Sequence, residues 1–454
     1  MVHLNSFNDI ALTNGSRAVM TGYVYSAQYV METLKQHTNC DISTEEFETA
    51  IYTELSPPSL SLVEPWGMDF QLGVDYSGLR YGGNGTHHLT NRSLCIIPNG
   101  GCNQTDFPPD PNGCIALIQL LPSNDCPLIN KAINAEQAKA AAVIFYNHIN
   151  RTALITSRVR GAGWFPGEPL LTIPALAASY SLGSTLSALS SARVDLQANT
   201  KIQIVSSFNV FCETKEGNAS NLIVAGAHLD SVPEGPGIND NGSGSASLLE
   251  IVVQWYGLGL VPVNRIRFAW WGSEEVGLIG SRNYVRGLTP GELGNIAMNL
   301  NFDMLGSPNY YIGVHDGSTA VKAQQGSSVI TTMFEEYFNY SEVNYILIDL
   351  IAGSDFLPFI EADIPAGGLA AGAGSIKGVE DRALFGGFAN AAYDPCYHQF
   401  CDTIDNINTE ALGSMASAAA YVIQKASQTA DLRAFLQAPL TVHPHQTQSS
   451  CEIE

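Results

Sequence analysis

Apolar and polar positions recur at two different periods along this chain, and the changes of period mark its elements. Over residues 16–36, Tyr23, Ala27, Val30, Met31 and Leu34 fall on one helical face, which predicts the first helix. Phe47, Thr49 and Ile51 alternate with Glu46, Glu48 and Ala50, the period of a half-buried strand over residues 47–53. Residues 54–110 turn rich in Pro, Gly, Ser and Asn, the texture of a boundary. Further on, 115–120 predicts a buried strand, the alanine-rich 129–142 a helix, 143–147 a second strand, and 170–173 a short one. From about residue 200 the pattern is regular: strands at 201–211, 222–226, 265–271 and 296–302 alternate with helices at 243–256 and 281–287, and 408–428 reads as a closing helix. Such alternation predicts an α/β fold, a mostly parallel mixed sheet flanked by helices. Residues 436–454 are expected to be a mobile tail whose His443 and His445 carry no metal role.

A chain of 454 residues with 45% hydrophobic content has material for two or three domains with large cores. The net charge of −22 argues against nucleic acid or an anionic membrane as partner. No apolar run approaches the roughly 20 residues of a membrane helix. The start, Val-His-Leu-Asn-Ser-Phe-Asn-Asp after Met1, has no basic segment and no apolar core, so no secretory signal is visible in it.

Other features point to an oxidising route, secreted or vacuolar. Nine cysteines lack metal-type pair spacing. Cys95, Cys102, Cys114 and Cys126 are clustered, Cys396 and Cys401 form a close pair, and an odd one is left over. Asn-x-Ser/Thr acceptors occur at Asn14, Asn84, Asn91, Asn103, Asn150, Asn218, Asn241 and Asn339, of which Asn241 is expected to stay bare.

The chemistry lies in the second half. His228 follows one predicted strand, Glu274 and Glu275 follow Phe-Ala-Trp-Trp-Gly at the end of another, and Asp303 follows a third. Asp240 sits in a glycine-rich loop before a helix, and His398 lies between Cys396 and Cys401. In open α/β sheets, sites form beyond the carboxyl ends of strands, so these side chains are expected on one rim. Imidazoles and carboxylates suit zinc. Three carboxylates with two imidazoles satisfy two ions more easily than one, with a carboxylate bridging them. Adjacent glutamates can divide metal binding and proton transfer between them. Asp230, two residues from His228, is placed to accept its second ring N–H. Gly242-Ser243-Gly244-Ser245 lacks the setting of a serine nucleophile, and no phosphate-binding loop occurs.

These stretches resemble the M28 metallopeptidases, and most of all the secreted or vacuolar aminopeptidases of Streptomyces and fungi. The resemblance rests on residues 224–232, 237–246, 267–281, 300–304, 394–398 and Cys401-Asp402. It implies a catalytic domain made of 1–55 and 200–435, with a β-rich protease-associated domain inserted over 56–199, marked by residues 114–120, Cys126 and Lys131. It further implies an enzyme that uses two zinc ions to hydrolyse residues from peptide N-termini; apart from the resemblance, a monomer is expected. By motif, His228 and Asp303 would hold one ion, Glu275 and His398 the other, and Asp240 would bridge. Glu274 matches the general base, Tyr397 a residue that steadies the oxyanion, and Asp230 the partner of His228; the Asp240–Asn241 peptide would be cis. There are two departures from the family pattern: Gly353 where relatives often carry Arg, and Ala370-Ala371 where they often carry Phe-Thr. Loss of that aromatic side chain widens the first substrate pocket, so bulky apolar residues are the expected substrates. A carboxypeptidase or dipeptidase on the same fold is the alternative. A silent receptor-like scaffold would carry a broken ligand set, whereas this one is complete.

Overall fold

The computed structural model describes residues 1–108, 113–122, 126–160, 163–189, 191–351 and 353–439. The expected tail lies outside the described residues from 440 onward. The chain divides into two compact units, Met1–Phe47 with Ser207–Glu454, and Glu48–Ser206. The cuts fall within the long strands Asp41–Glu64 and Arg193–Glu213, where an unbroken strand pattern offers no boundary signal.

The larger unit is built on a mixed sheet. In order across it lie Ile346–Asp349, Gly313–Asp316, Ala366–Ala370, Ile296–Phe302, Asn218–His228, Asn264–Trp271 and the end of Arg193–Glu213. Asn218–His228 is central, paired in parallel with both Asn264–Trp271 and Ile296–Phe302. The central residues of these three strands are mostly apolar and buried because both faces are covered. Ile223, Ala225 and Ala227 join one core cluster with Phe268, Trp270, Leu300 and Phe302. The intervening Leu222 and Val224 join a second cluster with Ala269 and Trp271. Helices close the first face, among them Tyr23–His37, Gly244–Gly257 and Thr409–Gln428. The last buries Ala411, Met415, Ala418, Ala419, Val422, Ile423 and Ala426, a stripe at helical spacing, and Asn408 caps its start by accepting from Glu410 N and Ala411 N. A disulfide joins Cys40 to Cys212.

The smaller unit has its own sheet, with Gly85–Ile97, Ile115–Gln119, Ala142–Tyr146 and Ala175–Ala178 in successive parallel pairing. Alternate residues again serve two faces: Ile115, Leu117 and Ile144 on one, Ala116, Ile118, Val143 and Phe145 on the other. Disulfides Cys95–Cys114 and Cys102–Cys126 brace it, and the buried Lys131 donates to Gly100 O at 2.6 Å.

Three expectations are corrected. The first helix is Val2–Asn14, whose Leu4, Phe7 and Ala11 are buried at helical spacing; the second begins only at Tyr23. Residues 16–22 form a turn in which a Cβ on Gly22 would lie 2.3 Å from Ser16 O. The alanine-rich helix ends at Gln137, because Lys139 takes a left-handed φ of 65° and Ala142 already pairs in the sheet. The expected strand at 170–173 is instead Ala175–Ala178, just after Pro174, which lacks the N–H that a ladder needs.

Candidate metal centre

Three strand ends and two loops deliver the site, all within the larger unit. His228 ends its strand, Asp303 follows Phe302, and Glu274 and Glu275 follow Trp271. Asp240 comes from the loop before Gly244–Gly257, in which the Asp240–Asn241 peptide is cis. His398 lies on the loop closed by the Cys396–Cys401 disulfide. Left-handed φ values of 62° at Ser273, 54° at Met304 and 57° at His398 turn the chain beside these groups. Non-glycine residues hold that conformation only where surrounding contacts enforce it.

The geometry sorts the side chains into two sets that share one member. His228 Nε2 lies 3.2 Å from Asp240 Oδ1 and 3.2 Å from Asp303 Oδ1. His398 Nε2 lies 3.1 Å from Asp240 Oδ2 and 3.2 Å from Glu275 Oε2. Thus the two oxygens of Asp240 face different imidazoles, and both triplets are close enough to hold a cation. Glu274 Oε2 stands 4.0 Å from His228 Nε2, outside either triplet. The Tyr397 ring stacks on the His398 imidazole, with centroids 3.8 Å apart.

The electrostatics fit a cationic occupant. Burial together with Asp240 pushes Glu275 up to about 7. Burial, opposed by His228 and reinforced by Glu275, holds Glu274 well above the carboxylate range. Burial depresses His398, but Asp240 and Glu275 override it and raise the imidazole to about 10. Asp303 and Glu274 raise His228 in the same way against its burial. With protein groups alone, the pocket therefore draws protons onto both imidazoles to offset its carboxylates. A divalent cation performs that task better and leaves the imidazoles neutral.

Asp230 stands beside His228 and braces a second segment as well. Its carboxylate is 3.8 Å from His228 Nδ1, and the shorter contact of that nitrogen, 3.1 Å, is to the Asp230 carbonyl oxygen. The carboxylate also accepts from Glu274 N at 3.0 Å and Glu275 N at 3.2 Å. It therefore fixes the backbone of the Glu-Glu turn.

Several supporting residues were not singled out from sequence. Ser354 donates to Asp303 Oδ2 at 2.6 Å and accepts from Asn301 Nδ2 at 2.8 Å. Asp402 accepts from Asn239 N at 2.9 Å and Asp240 N at 3.0 Å, and burial lifts its carboxyl to about 7. Asp394 accepts from Asn239 Nδ2 at 2.6 Å. Asp394 and Asp402 stand inside the shared motifs, which was their one signal. Asn241, the acceptor expected to stay bare, is buried: its Nδ2 donates to Phe302 O at 2.8 Å and its Oδ1 accepts from Gly244 N at 2.9 Å. Asn84, Asn91, Asn103, Asn150, Asn218 and Asn339 are exposed.

Comparison with known proteins gives the family of the chain. Residues 209–423 match the model of peptidase family M28, and residues 88–186 match that of the PA domain. An aminopeptidase of Pseudomonas aeruginosa (strain UCBPP-PA14) is 38% identical over 433 residues, spanning 92% of this chain and 78% of that protein. The chain belongs to peptidase family M28. Another relative, leucine aminopeptidase 2 of Trichophyton rubrum, is 37% identical over 354 residues, covering 77% of this M28 chain and 68% of its own length. Among solved structures, a zinc aminopeptidase from Bacillus subtilis is 25% identical with a TM-score of 0.58, covering 94% of this chain and 95% of that one. An aminopeptidase from Aneurinibacillus sp. strain AM-1 shares the fold, with a TM-score of 0.69, 22% identity and coverage of 94% and 93%.

Proposed function

We propose that this M28 chain is a zinc-dependent aminopeptidase with a two-ion centre. In this reading His228 and Asp303 would hold one ion, Glu275 and His398 would hold the other, and Asp240 would serve both. The observation that carries it is the division of Asp240, with Oδ1 toward His228 at 3.2 Å and Oδ2 toward His398 at 3.1 Å. Zinc, when bound, supplies Lewis acidity for the scissile carbonyl and acidifies water at neutral pH. Glu274 is the general base: it takes the proton of the attacking water and returns it to the leaving amine. Its burial favours the protonated form, and bound cations would oppose that shift. Asp230 fixes where that carboxylate stands through the Glu274 and Glu275 amides. Tyr397, steadied against His398, offers its hydroxyl to the oxyanion.

The substrates are peptides with a free N-terminus, with bulky apolar first residues preferred because Ala370 leaves more room than an aromatic side chain. The protein works as a monomer on a secreted or vacuolar route. The names of the relatives and, among the described residues, four disulfides and six exposed glycan acceptors support the aminopeptidase and secretory parts of this reading. In addition, no described helix is long and apolar enough to cross a membrane.

The test uses leucyl, phenylalanyl, methionyl, alanyl and glycyl p-nitroanilides beside N-acetylated peptides, with and without a chelator. Glu274→Gln is expected to lower kcat by about 10²–10⁴ while zinc content is kept. Cleavage of acetylated peptides, undiminished turnover by Glu274→Gln, or a protein that takes up no zinc would each refute the mechanism. Fastest cleavage of alanyl or glycyl substrates would refute the pocket assignment alone.

A further inference from the structure

Arg17 lies in the turn between the first two helices, far from every motif, yet it is 0% exposed. Its guanidinium donates to three backbone carbonyls: Pro236 O at 3.0 Å through Nε, Leu229 O through Nη1 and Gly237 O through Nη2. Its backbone N–H donates to Ser231 Oγ at 3.0 Å, and its guanidinium carbon lies 5.4 Å from the centre of the Phe7 ring. Leu229 sits between His228 and Asp230, and Gly237 begins the loop that carries Asp240. One side chain thus ties the strand end of His228 to the loop of Asp240, the two segments whose side chains meet at 3.2 Å.

The chemistry suits guanidinium rather than another cation. A planar fork with fixed N–H directions satisfies several carbonyls at once, and its weak hydration lowers the cost of burial. Its charge is spent on carbonyl dipoles, not on one carboxylate. It therefore faces the acids of the site as a fixed cation, with Asp402, Asp230, Asp240 and Glu275 all contributing to its field. The packing leaves little slack: a Cβ on Gly237 would lie 3.1 Å from Arg17 Nη2.

We infer that Arg17 is a positioning residue of the metal centre, setting the separation of His228 and Asp240 and so the affinity for the ions they hold. This rests on the zinc reading above. Arg17→Met keeps an apolar stem and removes all donors, whereas Arg17→Lys keeps the charge and part of the donation. Zinc affinity is measured by calorimetric titration of chelator-stripped protein well below its melting temperature, with kcat and KM on leucyl-p-nitroanilide beside it. Arg17→Met is expected to weaken zinc binding by about tenfold or more and to lower kcat similarly, with KM within about threefold; Arg17→Lys falls between. Wild-type zinc affinity and kcat in a folded Arg17→Met protein, with only a lower melting temperature, would overturn the inference. If Arg17→Met does not fold, Arg17→Lys decides. A loss of zinc affinity beyond about threefold supports the inference, and an unchanged value overturns it. A wild-type protein that binds no zinc sinks the proposed function itself, and this inference with it.

Discussion

His315 sets an acid limit on the larger unit. It lies on the strand Gly313–Asp316, is 5% exposed, and packs its ring 5.0 Å from that of Phe356. Its Nδ1 is buried with no hydrogen-bond partner among the described residues. Burial, only partly opposed by the charge of Asp303, lowers the imidazole to about 4. Above an unfolded value of roughly 6.5, both states hold a neutral ring and the group contributes nothing to the pH dependence. As the pH falls below that, the unfolded chain takes up a proton and the folded chain does not, so stability drops until the folded value is passed. Between pH 7.5 and 4.5, at about 1.4 kcal/mol per unit of separation, the loss is about 2–3 kcal/mol. His315→Gln keeps a polar side chain without a titration and should lack this component. The assay is urea unfolding at both pH values, on chelator-treated wild type and variant, read by the fluorescence of the buried Trp255, Trp270 and Trp271. Wild type should lose about 2–3 kcal/mol more than the variant on acidification. Equal losses would refute the reasoning, because the proton would then find the ring as accessible in the folded chain as in the unfolded one.

Ser354→Ala removes the 2.6 Å hydrogen bond to Asp303 Oδ2 and is expected to weaken zinc binding by about tenfold, read by competition with a chromophoric chelator; an unchanged affinity would show that Asp303 is held by other means. Cys40→Ala with Cys212→Ala opens a cross-link spanning 172 residues and is expected to cost about 4–5 kcal/mol in the loop-closure model. The melting temperature should fall while the zinc affinity measured below it stays level. A melting temperature equal to that of wild type would place the constraint in packing rather than in the bond.

Much of the site was legible before any coordinates. His228, Glu274, Glu275 and Asp303 follow apolar runs that could only be buried strands, and strand ends in such a sheet converge on one edge. Helical stripes and strand runs were equally plain where both faces of an element carry apolar residues. They failed where local chemistry intervened: Lys139 turning the alanine run, Pro174 delaying a strand, and the turn at 16–22 splitting two helices.

What the chain determined by itself is the identity of the reacting groups, because imidazole and carboxylate chemistry belongs to the residue type. What tertiary structure alone decided is how each group is spent. The carboxylate of Asp230 serves two backbone amides, Asp402 holds the Asp240 loop from 162 positions away, and Arg17 binds carbonyls more than 200 residues distant. Backbone carbonyls are the same at every residue, and amide N–H groups at every residue but proline. A side chain that recognises them therefore leaves no pattern in the sequence, and its partner is known only once the loops have been packed against one another.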